Sequence, residues 1–156
     1  MDFGNLKMYI NGELTSSHNT ITKDIISPLN DEKIATLAWG SSNDSIRALE
    51  SAKEGFKVWS NTPINKRKEW MLLIREKILE NEEILRKSIS YEMGKPYSAT
   101  AEDIESITNS LKYYSDIIED YQSDKEIIDN ENTHKHYLIS KPIGVVVAYL
   151  AWNFPL

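Results

Sequence analysis

The chain has 156 residues, 40% hydrophobic and 27% charged, a composition typical of a globular protein rather than a disordered, fibrous or membrane-spanning one. The formal net charge is −6 and no block of Lys or Arg is present, so no nucleic-acid or anionic-membrane partner is indicated. The absence of cysteine excludes disulfides, thiolate metal sites and a cysteine nucleophile within these residues.

The first ten residues have neither the apolar core nor the small-residue cleavage pattern of a secretory signal. No run of 18 apolar residues follows, so no membrane span is predicted. We therefore expect a cytoplasmic protein.

Two hairpins are predicted near the N-terminus. Apolar residues flank Asn11-Gly12 within residues 8–14, and this dipeptide favours a two-residue hairpin turn. Residues 21–27 and 33–39 form a second candidate pair, because the Pro/Asn/Asp loop between them reverses the chain. Together they predict a small antiparallel unit.

Helical periodicity begins after Ser41. Ser42 or Asn43 is the expected N-cap, Asp44 favours the first turn, and the helix is expected to reach about Trp59. The apolar residues that recur at spacings of three and four are Ile46, Leu49, Ala52, Phe56 and Trp59.

Two further helices follow. Thr62 is the expected N-cap of the first, with Pro63 at its first helical position. Its apolar face comprises Trp70, Leu73, Ile74 and Ile78. The next helix restarts at Asn81, and Gly94 followed by Pro96 predicts its end.

The longest helix is predicted to begin near Ser98. Its apolar residues alternate steps of three and four over almost five turns: Ile104, Ile107, Leu111, Tyr114, Ile118 and Tyr121. A coiled-coil seam is one interpretation, but three heptads are its lower limit, so we favour packing within the chain. After a polar stretch, residues 127–128 and 137–139 around a turn at 129–132 predict an exposed hairpin arm.

Residues 144–150, Gly-Val-Val-Val-Ala-Tyr-Leu, form an uninterrupted apolar run of the kind found in parallel strands covered on both faces. No second run of this kind exists, so we expect its neighbouring strands in missing sequence or in another chain. The sequence also closes on an apolar, aromatic stretch, whereas natural termini are usually polar. We therefore expect a fragment of an α/β protein.

Two aromatic residues and an asparagine follow this run. Ligands of open α/β sheets bind beyond the carboxyl ends of the strands, which is where residues 151–155 lie. Trp152 can lie against a flat ligand, and the amide of Asn153 can donate to an oxyanion. The residues alone favour a simpler interpretation, in which Trp152 and Phe154 cap a core and Asn153 makes a turn.

Residues 141–156 resemble the signature of the aldehyde dehydrogenase superfamily, in which a Pro-x-Gly-Val run leads into Pro-Trp-Asn-Phe-Pro. Segments at 9–13, 27–32, 52–59 and 92–96 occur in that family's order. The resemblance covers nearly the whole chain and implies the N-terminal third of a family member, similar to succinate-semialdehyde dehydrogenase.

The resemblance implies an α/β fold with antiparallel N-terminal strands, a helical segment, an oligomerisation hairpin and the first strand of a Rossmann-like parallel sheet. Residues 1–123 would be the N-terminal part of the cofactor-binding domain and residues 124–142 the hairpin arm. Residues 143–156 would be the first buried strand and the Trp-Asn-Phe-Pro loop. The parent would be a homo-oligomer, a dimer or a tetramer.

The resemblance also implies the site. Asn153 would stabilise the oxyanion formed when a cysteine thiolate attacks a small aldehyde substrate. Leu150, Ala151 and Trp152 would line the cleft for NAD or NADP, and Phe154 would border the substrate channel. The family's cysteine and general-base glutamate lie downstream of the matched residues, so the chain alone is expected to be inactive.

Two departures from the family are visible. Ala151 stands where the family usually has Pro, which leaves the turn before Trp152 freer because proline fixes φ. The six glycines never form a Gly-rich phosphate loop, and the family's dinucleotide site does not need one at this point of the chain.

Two competing sites are weaker. His134 and His136 lack a third ligand at helical spacing, so no metal site is expected. Glu102, Asp103 and Glu105 could suggest a catalytic pair of carboxylates, but they lie near a helix start, where carboxylates complement the dipole, so no such pair is expected.

A different hypothesis for the whole chain is a truncated product or interaction module without activity, which would expose apolar surface.

Overall fold

The computed structural model describes residues 1–129, 131 and 133–156. The strands are β1 (Asn5–Leu6), β2 (Met8–Ile10), β3 (Glu13–Thr15), β4 (Thr22–Ile26), β5 (Lys33–Ala38), β6 (Lys125–Ile128) and β7 (Lys135–Leu138). The helices are α1 (Ser42–Trp59), α2 (Ile64–Glu80), α3 (Glu82–Met93) and α4 (Ala101–Gln122). None of the helices described is long and apolar enough to span a membrane.

The first predicted hairpin is confirmed. Strands β2 and β3 pair antiparallel, with Ile10 opposite Glu13. Asn11 and Gly12 form the two-residue turn and have φ angles of 55° and 79°. Two successive positive φ angles match the twist of a hairpin, which explains why this dipeptide occupies the turn.

The second hairpin is confirmed as well, and a parallel neighbour joins it. β4 pairs antiparallel with β5, while β1 pairs parallel with the other edge of β5. The unit is therefore mixed rather than purely antiparallel. Central strand β5 carries much of the core, since Ile34, Ala35 and Ala38 are buried.

The N-cap of α1 is Ser41, so the prediction of Ser42 or Asn43 was wrong by one or two residues. The Asp44 backbone N–H donates to Ser41 Oγ at 3.4 Å, and the Ser41 backbone N–H donates to the Asp44 carboxylate at 2.9 Å. In this capping box the backbone N–H groups of both Ser41 and Asp44 are hydrogen-bonded, which favours Ser41 as the N-cap over the residues that follow it.

The start of α2 is also shifted by one residue. Pro63, not Thr62, precedes the helix, and the Thr62 hydroxyl instead donates to the Val58 carbonyl at the end of α1. Helix α3 ends as predicted at Gly94, whose φ of 76° is left-handed. A Cβ there would approach Pro28 Cγ to 3.1 Å. Both the left-handed φ and this close contact therefore disfavour a side chain at position 94.

Helix α4 begins at Ala101, not near Ser98, because Tyr97–Thr100 form a single 3-10 turn ahead of it. It packs along α2, and Lys68 of α2 pairs with Glu119 of α4 at 3.4 Å. Packing within the chain is therefore confirmed over the coiled-coil interpretation. The predicted apolar face buries Ile104 and Ile118, whereas Tyr114 and Tyr121 at the same face remain exposed.

The hairpin arm is confirmed: β6 and β7 pair antiparallel and every residue of both strands is exposed. Its predicted turn at 129–132 includes positions 130 and 132, which lie outside the described residues.

Residues 144–150 do not form a strand here, and the prediction of a buried strand is wrong for this structure. They pair with no other strand among the residues described, and Val146, Val147, Tyr149 and Leu150 are exposed. A strand is defined by ladder hydrogen bonds to a neighbour, and the described chain offers this run no neighbouring strand.

Apolar side chains on α1, on α2 and in the 144–150 run are exposed, and we call them the uncovered apolar residues. They are Ile46, Leu49 and Trp59 of α1, Trp70, Leu73 and Ile74 of α2, and Val146, Val147, Tyr149 and Leu150. Neither helix buries an apolar side chain, because Asp44 is the one buried residue of α1 and α2 has none.

Candidate functional site

The expected site residues lie on one turn. The Phe154 backbone N–H donates to the Ala151 carbonyl at 3.4 Å, which closes the turn around Trp152 and Asn153. Trp152 is 77% exposed and Phe154 is 68% exposed. Neither aromatic ring therefore caps a core in the described chain, whereas the turn expected at Asn153 is present.

Asn153 is exposed, and its side chain has no hydrogen-bond partner within the described ranges. Its amide can offer two N–H donors to a ligand. A donor lowers the energy of a developing oxyanion only when it is aimed at that oxygen in advance. The turn presents the donor, and further contacts are needed to aim it.

The residues expected beside the cofactor share this segment. Leu150 is 84% exposed, Ala151 is exposed, and the Trp152 ring is accessible as a flat apolar surface. The turn thus presents a flat apolar ring next to an uncharged amide. The described residues bring no phosphate-binding loop to this segment.

A polar cavity of about 630 Å³ is lined in part by residues 140–142, which precede the candidate site by eight residues or more. The cavity lies between the α1–α2 turn, the end of α4 and residues 140–142, and Arg67 lines it together with Lys141. The Arg67 guanidinium donates to the carbonyls of Thr62 at 3.0 Å and Trp59 at 2.9 Å. Arg67 thereby holds the C-terminal end of α1 and the turn that follows it.

Asp44 makes a polar cluster that the sequence did not predict. Its side chain is about 2% exposed, and it accepts hydrogen bonds from Ser41, from Ser17 Oγ at 3.1 Å and from the His18 backbone N–H at 3.1 Å. The backbone and side-chain hydrogen bonds from Ser41, followed by those from His18 and Ser17, hold the Asp44 pKa far below its usual range. Asp44 thus ties the loop after β3 to the start of α1.

Lys95 and Asp103 form a second unpredicted cluster. Lys95 Nζ lies 2.6 Å from the Asp103 carboxylate, and their side chains are 21% and 5% exposed. Asp103 was expected to complement the helix dipole beside Glu102 and Glu105, and it does lie in the first turn of α4. It is also buried and paired with Lys95, and it ties the Gly94–Pro96 loop to α4.

In the hairpin arm, His134 lies beside Asp129. His134 Nδ1 lies 3.2 Å from the Asp129 carboxylate, while the Thr133 hydroxyl donates to the same carboxylate at 2.6 Å. The Thr133 hydrogen bond is the main reason that the Asp129 pKa is lowered. No group of three metal-ligating side chains occurs among the residues that the structure describes.

A sequence model of the aldehyde dehydrogenase family matches residues 14–156. The 3,6-anhydro-α-L-galactose dehydrogenase of Vibrio sp. (strain EJY3) is 31% identical over 150 residues, which are 96% of this chain and 31% of that protein. The betaine aldehyde dehydrogenase of Bacillus subtilis (strain 168) is also 31% identical, over 96% of this chain and 31% of its own length. The D-glyceraldehyde dehydrogenase (NADP+) of Thermoplasma acidophilum is 27% identical over 96% of this chain and 30% of its own length.

Solved structures agree over the same length. A 3,6-anhydro-L-galactose dehydrogenase in complex with NAP superposes with a TM-score of 0.86 at 26% identity, over 97% of this chain and 31% of that one. A double mutant of the Staphylococcus aureus betaine aldehyde dehydrogenase in complex with NAD+ gives 0.88 at 29% identity, also over 97% and 31%. The chain thus spans about a third of the length of these relatives. It belongs to the aldehyde dehydrogenase family, and its fold is that of the N-terminal part of the family's structures.

Proposed function

We propose that this chain is the N-terminal segment of an NAD(P)-dependent oxidoreductase that converts an aldehyde to a carboxylic acid. The observation that carries the proposal is the family match, which extends through the turn bearing Asn153. The relatives act on aldehydes according to their names, and solved structures of similar chains contain NAD+ or NAP.

In this proposal Asn153 donates to the aldehyde oxygen as a cysteine thiolate adds to the carbonyl carbon. The carbonyl oxygen gains the negative charge that the thiolate loses, and a neutral amide stabilises it without a proton transfer. Bound NAD or NADP supplies the hydride acceptor for the same carbon. The cysteine and the glutamate that activates the hydrolytic water come from outside these 156 residues.

The other residues to which we assign a role lie in the same segment as Asn153. Leu150, Ala151 and Trp152 line the nicotinamide end of the cofactor site, and Phe154 borders the channel by which the aldehyde enters. Their exposure supports this assignment, because apolar side chains at the mouth of a site are free to take a ligand.

Three parts of the chain have separate roles in the proposal. Residues 1–123 belong to the cofactor-binding domain, residues 124–142 form the arm that joins subunits into a homo-oligomer, and residues 143–156 deliver Asn153. The exposed antiparallel pair of β6 and β7 supports the role of the arm, since both strands offer side chains to a partner.

The experiment is a chimera in which residues 1–156 replace the matching third of the Vibrio dehydrogenase, with reduction of NAD and NADP measured spectroscopically. Asn153→Ala is expected to lower kcat about 10²–10³-fold, equivalent to about 2.7–4 kcal/mol, with the cofactor KM unchanged. Ala151→Pro, which restores the usual family residue, is the matched control and should retain activity. Equal kcat for Asn153→Ala and its parent would remove the oxyanion role.

A second candidate is a non-catalytic interaction module, and the uncovered apolar residues favour it. It predicts binding of the chain to another polypeptide without any reduction of NAD(P). A chimera that is folded but inactive with every aldehyde tested would support this candidate over the first.

A further inference from the structure

A mostly apolar cavity of about 190 Å³ lies between the three-stranded sheet and α3, and we call it the α3 cavity. Strands β1, β4 and β5 form one wall together with Phe3, while Ser88 and Glu92 of α3 form the other. Every lining residue lies between positions 3 and 92, so the α3 cavity is separate from the turn that carries Asn153.

The sheet wall is hollow because a small residue lies at its centre. Ala35 is opposite Ile25 in the β4–β5 pair, and Leu37 is opposite Leu6 in the β5–β1 pair. Paired residues point to the same face of a sheet, and so do residues two apart on one strand. These four side chains therefore share one face, and the methyl group of Ala35 on the central strand leaves a depression among its three larger neighbours.

Two contacts fix the walls relative to each other. The Phe3 backbone N–H donates to the Ile34 carbonyl at 2.7 Å, which holds the N-terminal segment against β5. At the other side, Gly94 at the end of α3 lies so close to the β4–β5 loop that a Cβ would be 3.1 Å from Pro28 Cγ. The α3 cavity is thus preformed, which lowers the ordering cost of binding a ligand.

The edge of the α3 cavity offers hydrogen-bond acceptors. Ser88 and Glu92 are one helical turn apart and lie on the same side of α3. The Ser88 hydroxyl donates to the Ile84 carbonyl at 2.9 Å, so toward a ligand it can only accept. Both other glutamates of α3 form ion pairs within the helix, whereas the exposed Glu92 forms none with any residue that the structure describes.

We propose that the α3 cavity binds a small primary amine whose apolar part is about the size of a benzene ring. An apolar cavity of about 150 Å³ is known to accept benzene, and the α3 cavity is larger, at about 190 Å³. The ammonium group lies at the edge and donates to the Glu92 carboxylate and the Ser88 hydroxyl oxygen. A carboxylate ligand would be repelled by Glu92, and a neutral hydrocarbon would leave Glu92 without a partner.

Benzylamine, toluene and benzoate are the probes, since they share a ring and differ in charge at neutral pH. Each is titrated into the purified chain, and the dissociation constant is measured from the methyl resonances of Leu6 and Leu37. Benzylamine should bind saturably and about three- to fivefold more tightly than toluene, as expected for an ion pair at a partly exposed edge. Benzoate should not shift these resonances.

Glu92→Gln keeps the shape of the side chain and removes its charge. It should weaken benzylamine about three- to fivefold and leave the toluene dissociation constant unchanged. Glu83→Gln is the matched control, because Glu83 lies on the same helix, does not line the α3 cavity and pairs with Lys87. It should leave the affinity for both probes unchanged.

Ala35→Leu fills the depression and should abolish the binding of benzylamine and toluene. If circular dichroism shows this variant unfolded, Ala35→Val replaces it and should weaken both probes. The proposal is overturned if benzylamine does not bind, if it binds no more tightly than toluene, or if Glu92→Gln binds it as the native chain does. Equal affinity in a folded Ala35 variant also overturns the proposal, because the probe would then lie elsewhere.

Discussion

Removal of the Lys95 ammonium tests the most buried ion pair among the residues that the structure describes. In Lys95→Met the Asp103 carboxylate, 5% exposed, loses the charge 2.6 Å away and stays inside the protein. Breaking one side of a buried pair typically costs about 3–5 kcal/mol, and the 21% exposure of Lys95 places the expected loss near the lower end. At about 2–4 °C per kcal/mol for a chain of this size, the melting temperature should fall by roughly 6–12 °C.

Urea unfolding of three variants tests whether the loss of stability comes from the burial of the ion pair or from ion pairing itself. Lys112→Met breaks a pair of similar length, 2.5 Å, whose side chains are 54% and 52% exposed, and should cost at most about 1 kcal/mol. The double substitution Lys95→Met/Asp103→Leu removes both charges and should recover most of the loss. The reasoning is refuted if Lys95→Met costs no more than Lys112→Met, or if the double variant is as unstable as Lys95→Met alone.

Three further substitutions concern the helices α1 and α3. Because hydrogen bonds from Ser41, His18 and Ser17 lower the Asp44 pKa in the folded state, the stabilisation is full above pH about 4 and is lost as the pH falls below it. Urea midpoints between pH 5 and pH 2 should therefore drop less steeply in Asp44→Asn, and an equal slope would contradict the assignment. Gly94→Ala should destabilise by about 1–2 kcal/mol, since φ is 76° and Pro28 lies 3.1 Å from the new Cβ. Gly55→Ala, in open space within α1, should instead stabilise by about 0.5–1 kcal/mol, and thermal unfolding of both variants checks the opposite signs.

Features determined by neighbouring residues were predictable from the sequence. Asn11-Gly12 identified the first hairpin because positive φ at two positions is a local requirement. Gly94 identified the end of α3 for the same reason. The spacing of apolar residues predicted α1 with its end at Trp59, and the capping residues predicted its start to within two residues.

Features determined by distant partners were not predictable. The two-residue strand β1 has no periodicity, so its parallel pairing with β5 left no signal. Nothing in the sequence near Asp44 indicates that Ser17 and His18, more than 25 residues earlier, donate hydrogen bonds to its carboxylate. The composition of 144–150 predicts a parallel strand, yet strand formation depends on a neighbour that these residues do not contain.

The attachment of α1 at its two ends has a consequence for synthesis on the ribosome. Asp44 and Ser41 secure the N-terminal turn, while Arg67 secures the carbonyls at the other end, and every one of these groups lies within the first 67 residues. At about 5–20 residues per second, the 55 residues from Arg67 to the end of α4 at Gln122 take roughly 3–11 seconds to add. The groups that secure both ends of α1 are therefore in place before the helix that packs on α2 is complete.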